Sequence, residues 1–259
     1  MKIKKEEMQT MIDVHSHIIP KIDDGSSSFE ESYEMLKKGA EAGFTDIIAT
    51  SHYIEEYYET DSIKRHAVVE AMNKVIKENS LGVKLHTGSE IYITPNIVKL
   101  IKEKKASTLA DGRYVLFELP MNSVVNYLSD VIFEIKANGL IPVIAHPERY
   151  SYVQKEPNFV VELVKNGVLF QANFASISGY YGGKAKKTLI KLLKANAIHF
   201  LGSDSHNSKK YENISEDIKK IEKIIPHSKL EELTLINPKN ILENKEINIE
   251  EVKPIKRLF

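Results

Sequence analysis

The chain reads as an α/β protein, a single-domain irregular (β/α)7 barrel, and three observations predict it. Strand-like and helix-like segments alternate from end to end. The strand candidates are short, rich in β-branched and aromatic residues and apolar on both faces, as parallel strands covered on both sides are. Acidic and histidine residues sit at the C-terminal ends of those strands, where barrels of this class carry their active sites.

Strands are expected to begin near Met11, Asp46, Val83, Tyr114, Ile141, Leu169 and Ile198. Between the first two, residues 29–42 read as a helix, opened by a Ser28…Glu31 capping box and stopped at Gly43. Ile63, Val69, Met72 and Ile76 give the next helix its apolar stripe. Helical segments follow at 96–105, 129–138, 158–166 and 184–195, with Gly139 and Gly167 placed as C-terminal stops. Residues 214–225 and 230–243 read as two outer helices. No Pro-, Ser- or Gly-rich linker divides the chain. The expected organisation is an N-terminal extension at 1–10, one domain at 11–245 and a C-terminal tail at 246–259. That tail is basic with an apolar end and is read as a frayed terminus rather than an interaction segment.

Composition narrows the function. The 259 residues carry 36 Lys+Arg and 36 Asp+Glu, so no global charge favours nucleic acid as a partner. The chain has no cysteine, which excludes disulfides, thiolate-ligated metals and the cysteine-nucleophile route of many phosphatases. No apolar run approaches the roughly 20 residues that span a bilayer, and the charged start lacks the apolar stretch of a signal peptide. The expectation is a soluble, cytoplasmic protein without stable membrane insertion.

The strand ends carry the chemistry. His15 and His17 stand two apart, as do Asp204 and His206, so each pair projects to one face of an extended chain. His52, Glu90, Glu118 and His146 end other apolar runs. Imidazoles and carboxylates are what a divalent metal binds when no thiolate is offered. Any one of these residues alone could be a satisfied core group. Together they point to a polynuclear metal site.

Four motifs carry a resemblance: Met-Ile-Asp-Val-His-Ser-His at 11–17, Asp-Asp-Gly at 23–25, Ala-His-Pro-Glu-Arg-Tyr at 145–150 and Gly-Ser-Asp-Ser-His-Asn at 202–207. The chain resembles the polymerase and histidinol phosphatase (PHP) superfamily. Within it the likeness is to the bacterial manganese-dependent tyrosine-protein phosphatases of capsular and exopolysaccharide synthesis, and it runs in register from Met11 to about Asn207. The resemblance implies three divalent ions, manganese first, with iron, zinc or magnesium compatible with the same donors. It assigns His15, His17, Glu90 and Asp204 to the first ion. Glu90 bridges to the second, which Glu118 and His146 complete, and Asp24, His52 and His206 hold the third. Arg149 binds the substrate phosphate, a fork of donors suited to phosphoryl oxygens; a salt bridge to a nearby acid is the alternative. His206 or water protonates the leaving oxygen. The chain departs from the pattern of the family at Ser51, where relatives tend to have proline, and at 207–211, where they often carry an arginine: either a lysine, Lys209 or Lys210, substitutes for it or the second phosphate anchor is missing.

The remaining residues read as structural: His66, His86, His199 and His227, with His86 sharing a face with Glu90. Glu148 reads as an exposed or supporting acid. Tyr53, Tyr57 and Tyr58 follow His52 and are expected to rim the barrel mouth, where they could stack on a phosphotyrosine ring. The expected reaction is hydrolysis of phosphotyrosine by a metal-activated hydroxide. By resemblance the substrate is a tyrosine-phosphorylated bacterial kinase that regulates polysaccharide export. The alternatives are a small-molecule phosphomonoesterase of the histidinol-phosphatase type and a metal scaffold that binds phosphotyrosine without turnover.

Overall fold

Alternating β-rich and helix-forming segments can bury both faces of their strands only by curling a parallel sheet under its own helices. The computed structural model, which describes residues 10–256, has this arrangement. Its strands are β1 (Met11–Ser16), β2 (Phe44–Ala49), β3 (His52–Tyr53), β4 (Lys84–Thr87), β5 (Glu90–Tyr92), β6 (Tyr114–Glu118), β7 (Ile141–Ala145), β8 (Leu169–Asn173) and β9 (Phe200–Gly202). They form two parallel sheets, β1-β2-β4 and β3-β5-β6-β7-β8-β9. The second sheet resumes the first: β2 and β3 are one run broken at Thr50-Ser51, and β4 and β5 one run broken at Gly88-Ser89. Counting each broken run once gives the seven expected strand positions.

The ends of the sheet meet at β1 and β9. Asp204 N–H donates to His15 O (2.8 Å), and His17 N–H to Ser205 O (2.9 Å). Asp13, fully buried on β1, clamps the seam by accepting from Ser203 N–H (2.9 Å), Ser203 Oγ (2.6 Å) and Tyr211 Oη (2.8 Å).

The strand breaks have a physical cause at each side. A Cβ on Gly88 would lie 2.8 Å from Ile48 Cγ2 and 3.2 Å from Thr50 Cγ2, so only glycine permits the two broken runs to approach there. The break also frees backbone carbonyls, and buried carbonyls need donors. Arg65, wholly buried, supplies them: Nη1 donates to Ser51 O (2.8 Å), Nη2 to His52 O (2.6 Å) and Nε to Thr60 O (2.8 Å).

The helices cover the outside: α1 (Phe29–Glu41), α2 (Ser62–Glu78), α3 (Ile97–Lys102), α4 (Leu128–Ala137), α5 (Ser151–Lys155), α6 (Asn158–Lys165), α7 (Gly183–Lys194), α8 (Ser208–Glu212), α9 (Ile214–Ile221), α10 (His227–Glu231) and α11 (Asn237–Leu242). Ser28 caps α1 by accepting Glu31 N–H (3.1 Å). The reciprocal half of the expected capping box is spent elsewhere, since Glu31 Oε1 accepts Ser208 N–H (2.7 Å). The second expected outer helix, 230–243, begins earlier and passes from α10 through a π-turn at Glu232–Ile236 into α11. Pro238, which has no N–H to offer the preceding turn, stands just beyond that wide turn.

Inside the curl the side chains are layered. Ile12, Val14, Tyr114, Leu116, Val143, Leu169 and Phe200 form an apolar floor. Two residues further along the same inward faces, Leu116 gives way to Glu118 and Leu169 to Gln171 and then Asn173. On β1 the register to β2 shifts between Asp13 and Ser16, and this irregularity takes the inward face from Val14 to His15.

The C-terminal segment is not frayed as far as it is described. Val252 is buried, Lys253 N–H donates to Ala195 O (2.8 Å), and Ile255 N–H to Asn158 Oδ1 (2.9 Å). The expected N-terminal extension before Thr10, and the tail's last residues after Lys256, lie outside the described residues. Among the described residues no helix is long and apolar enough to cross a membrane.

Replacing Arg65 with methionine leaves three carbonyls without their donor. The unfolding free energy is expected to fall by about 2–4 kcal/mol, read as a lower urea midpoint at constant m-value. A wild-type midpoint in Arg65→Met would show that the carbonyls at the strand break do not depend on this side chain.

Candidate metal centre

All nine expected ligands converge at the strand ends. His15 is the last residue but one of β1 and His17 follows its end; His52 and Glu90 open β3 and β5 directly after the strand breaks; Glu118 closes β6. His146 and Asp204 stand just beyond β7 and β9 in left-handed backbone, φ 34° and 49°, a conformation that disfavours non-glycine residues by about 1–2 kcal/mol. Arg149 N–H donates back to His146 O (3.0 Å), and Asp204 N–H is held by β1. Asp24 comes from the turn after β1.

Glu90 is the hub. Its Oε2 lies 3.2 Å from His15 Nε2, 3.3 Å from His17 Nε2 and 3.2 Å from His52 Nδ1, and its Oε1 lies 2.9 Å from His146 Nε2. Glu118 faces His52 Nδ1 (3.4 Å) and His146 Nε2 (3.7 Å). Asp204 Oδ1 lies 3.5 Å from His17 Nε2, and Asp24 Oδ1 lies 3.6 Å from His52 Nε2 and 3.5 Å from His206 Nε2. Three groups of donors could each hold an ion: His15, His17 and Asp204; His17, Asp24, His52 and His206; and His52, Glu90 and Glu118. His52 thus reaches two groups, where the sequence reading gave it to one.

The hydrogen bonds decide what these atoms offer. Asp204, a carboxylate, can only accept, so Asn173 turns its amide nitrogen to Asp204 Oδ2 (2.6 Å). Asn173 Oδ1 then accepts from Gln171 Nε2 (2.9 Å), and Gln171 Oε1 is left to accept from His15 Nδ1 (2.7 Å). The lone pair of His15 is therefore on Nε2. On the other side Asp23 accepts from His17 Nδ1 (2.8 Å) and from the His52 and Gly25 amides (2.8 and 3.0 Å), so His17 too keeps its lone pair on Nε2. Those two Nε2 atoms face each other at 3.1 Å, with Glu90 and Asp204 oxygens around them. Lone pairs and carboxylates at that range repel unless a cation sits among them. The donor set fits divalent metals that take nitrogen and oxygen ligands.

The charge states agree. Burial pulls the His15 imidazole down, but Glu90 and Asp204 outweigh it and raise its pKa; burial, and then Asp23 and Glu90, set the same contest at His17, which ends well above its usual value. Burial pushes the Glu118 carboxyl far up, and the Glu90 charge beside it adds to the rise. Burial and Arg149 lower His146 to about 4. The cluster thus gathers protons at some sites to balance charge at others, a role that bound cations would take over.

Above these residues opens a cleft of about 350 Å³ lined by Met121, Arg149, Tyr180, Tyr181 and Lys210. Arg149 reaches the metal-bearing rim as expected, and there its Nη1 donates to Asp204 Oδ2 (3.0 Å) while its guanidinium lies over the Tyr181 ring (4.5 Å). The salt bridge and the position at the cleft coexist. Lys210, not Lys209, is the lysine in the cleft: its Nζ donates to Tyr181 Oη (2.6 Å) and lies 3.6 Å from Asp204 Oδ2. Tyr181 Oη in turn donates to Asp204 Oδ2 (2.8 Å).

Several expectations change. Tyr53 is buried in the core and Tyr57 is 81% exposed; of the three tyrosines only Tyr58 faces the site, stacked on His52 at 6.2 Å. The aromatic rim comes instead from Tyr180 and Tyr181, whose signal in the sequence is only a Tyr-Tyr pair in a Gly-rich loop after β8. Glu148 is not exposed: it is fully buried, accepting Asn173 N–H (2.9 Å) and Ser176 Oγ (2.6 Å). His86 pairs with Asp46 (2.8 Å), and the strand break removes it from the face of Glu90. His66 meets Asp111 (2.9 Å), His227 meets Glu222 (3.1 Å) and His199 accepts Phe170 N–H (3.1 Å), all outside the site. Asp23, Gln171 and Asn173 escaped sequence reasoning because only the fold brings them behind the imidazoles.

Comparison with known proteins gives a consistent result. The family described as "Capsular polysaccharide synthesis, CpsB/CapC" matches residues 11–243. The putative tyrosine-protein phosphatase CapC of Staphylococcus aureus is 34% identical over 197 residues, 76% of this chain and 77% of that protein. The tyrosine-protein phosphatase YwqE of Bacillus subtilis (strain 168) is 31% identical over 248 residues, 95% of this chain and 97% of that protein. A solved chain from work on YwqE of Bacillus subtilis and CpsB of Streptococcus pneumoniae, described as unique metal-dependent tyrosine phosphatases, superposes with a TM-score of 0.89 at 30% identity. The match covers 95% of this chain and all of that one.

Gln171→Leu removes the acceptor that fixes the His15 tautomer. Calorimetric titration with Mn2+ is expected to show affinity about 10–100-fold weaker than wild type. Unchanged affinity would mean that Gln171 does not orient a ligand.

Proposed function

Because this chain belongs to the CpsB/CapC family of capsular polysaccharide synthesis, we propose that it is a metal-dependent tyrosine-protein phosphatase whose chemistry resides at the strand-end cluster. The observation that carries this reading is the pair of buried imidazole lone pairs facing each other beside two carboxylates, directly beneath a cleft that presents a guanidinium. His15, His17, Glu90 and Asp204 would hold one ion, Glu90, Glu118 and His146 a second, and Asp24, His52 and His206 a third, with Mn2+ as the resident metal. Bound there, divalent ions supply neutralisation of phosphoryl charge and a water acidic enough to act near neutral pH.

The chain's own residues do the rest. Arg149 and Lys210 receive the phosphoryl oxygens, the first through a planar fork and the second as a point charge. Tyr180 and Met121 give the substrate ring an apolar wall. Asp204 Oδ2 collects Asn173, Tyr181 and Arg149, which fixes Oδ1 towards the imidazoles. His206 Nδ1–H donates to Asp204 O (3.0 Å), so Nε2 carries a lone pair; this supports a ligand role and leaves protonation of the aryl oxygen to water. A phenolate with an aqueous pKa near 10 needs little such help. The supply of a cysteine nucleophile is excluded by composition.

The physiological substrate we propose is a tyrosine-phosphorylated bacterial kinase that controls capsule or exopolysaccharide synthesis, met in the cytoplasm. The boundaries proposed are a phosphatase domain at 11–245 between a short N-terminal extension and the C-terminal tail.

Two outcomes test the reading. Chelation is expected to abolish turnover of phosphotyrosine peptides and Mn2+ to restore it; full activity in excess chelator after verified metal loss would overturn it. Arg149→Ala is expected to lower kcat/KM by about 10–100-fold, equivalent to about 1.5–3 kcal/mol, with Arg149→Lys recovering part and metal content unchanged in both. Loss of metal from Arg149→Ala with undiminished phosphate inhibition would make the residue a support of Asp204 and not a substrate contact.

A further inference from the structure

Beside the catalytic cleft lies a second groove of about 400 Å³. Tyr180, Asn207 and Lys210 line both, so the two spaces are continuous across the exposed Tyr180 ring. Beyond Tyr180 the groove is bordered by Lys209 and Lys220. Lys209 is exposed and makes no hydrogen bond or ion pair among the described residues. Lys220 donates to Ser178 Oγ (2.6 Å) and keeps nearly half of its side chain open to solvent.

Two acids border the same groove, and neither pairs with Lys209. Asp217 is buried and accepts from Ser178 Oγ, with Lys220 Nζ 3.9 Å away. Glu216 pairs outward with Lys219 (3.3 Å). A further recess runs from His206 past Asp24 towards Glu31, and Lys209 borders it as well. Lys209 thus stands between the groove and this recess, with Lys220 further along the groove.

We propose that this groove is a docking subsite for the substrate polypeptide, and that it receives acidic side chains one to three residues from the phosphotyrosine. The inference rests on the phosphatase reading and deepens it by naming the class of sequence favoured. An extended chain advances about 3.3 Å per residue, so with the phosphotyrosine in the cleft its near neighbours on one side lie over Tyr180 and the groove. Carboxylates there meet the two lysines. Lysines, as mobile point charges, give a preference for charge rather than for one residue.

The test uses the manganese-loaded full chain and three phosphotyrosine peptides whose flanking positions are all Glu, all Gln or all Lys. The Glu peptide is expected to exceed the Gln peptide in kcat/KM by about tenfold, mainly through KM, with the advantage shrinking between 0.05 and 0.5 M salt, as screening requires. In the Lys209→Gln/Lys220→Gln double variant the advantage should vanish, and in Lys209→Glu/Lys220→Glu the Lys peptide should become the best substrate. Turnover of an aryl phosphate, which places nothing in the groove, should stay within about twofold of wild type. Equal turnover of all three peptides by the wild type, or a Glu preference that survives the double substitution, overturns the subsite while leaving the phosphatase reading intact. A fall in aryl phosphate turnover to match that of the Glu peptide would show that the lysines support the catalytic site instead. No turnover of any peptide would overturn both readings.

Discussion

Most of this structure answers one constraint, the burial of several carboxylates and imidazole lone pairs within about 4 Å of one another. Such a cluster is unstable by itself, because burial weakens solvent screening and every member is an acceptor. It persists when cations or protons sit among its members and when an outer ring of donors and acceptors fixes each ring and carboxylate. The outer ring here is made of Asp23 behind His17, Gln171 and Asn173 behind His15 and Asp204, and Asp13 across the seam. Each of these residues has one partner facing the cluster and another in the fold, so the site and the closure of the sheet are one hydrogen-bonded unit.

The irregularities of the fold follow from the same demand. An uninterrupted strand at 44–53 would run its backbone amides into a ladder. The break at Thr50-Ser51 instead turns the His52 amide to Asp23, and Arg65 satisfies the carbonyls that are released. The break at Gly88-Ser89 brings Glu90 to the hub position beside His52. His146 and Asp204 hold left-handed conformations immediately after their strands, where one residue of strained backbone re-aims a ligand at the mouth. Two strand breaks and two left-handed residues, in a structure otherwise built of short parallel strands, are what bring the nine proposed ligands to one place.

The cleft above the cluster draws its positive charge from a lysine beside an arginine. Lys210 does not reproduce a guanidinium fork. It stands with Tyr181 and Arg149 around Asp204 Oδ2. Because Tyr181 stacks beneath Arg149 and donates to Asp204, the loop after β8 ties the guanidinium to the strand-end cluster through one side chain.

By itself the sequence determined the class of fold and the seven strand positions, because these are written in local patterns, apolar runs of strand length and helix caps; most of the proposed ligands stood out as donors at run ends, while Asp24 came from the resemblance alone. The position of Arg149 at the cleft was legible too, since it lies three residues past His146 and beyond a proline. The tertiary structure alone decided what depends on residues far apart in the chain. Tyr53 looked like a rim aromatic until the strand break turned it into the core, and Tyr180 and Tyr181 took that place from a loop more than a hundred residues later. His86 and Glu90, two strides apart on a continuous strand, are separated by a break that no local pattern at Gly88 specifies, because its cause is the nearness of Ile48 and Thr50 on the neighbouring strand. The tautomers of His15 and His17 are likewise set by Gln171 and Asp23 through hydrogen bonds that exist only once the sheet has closed.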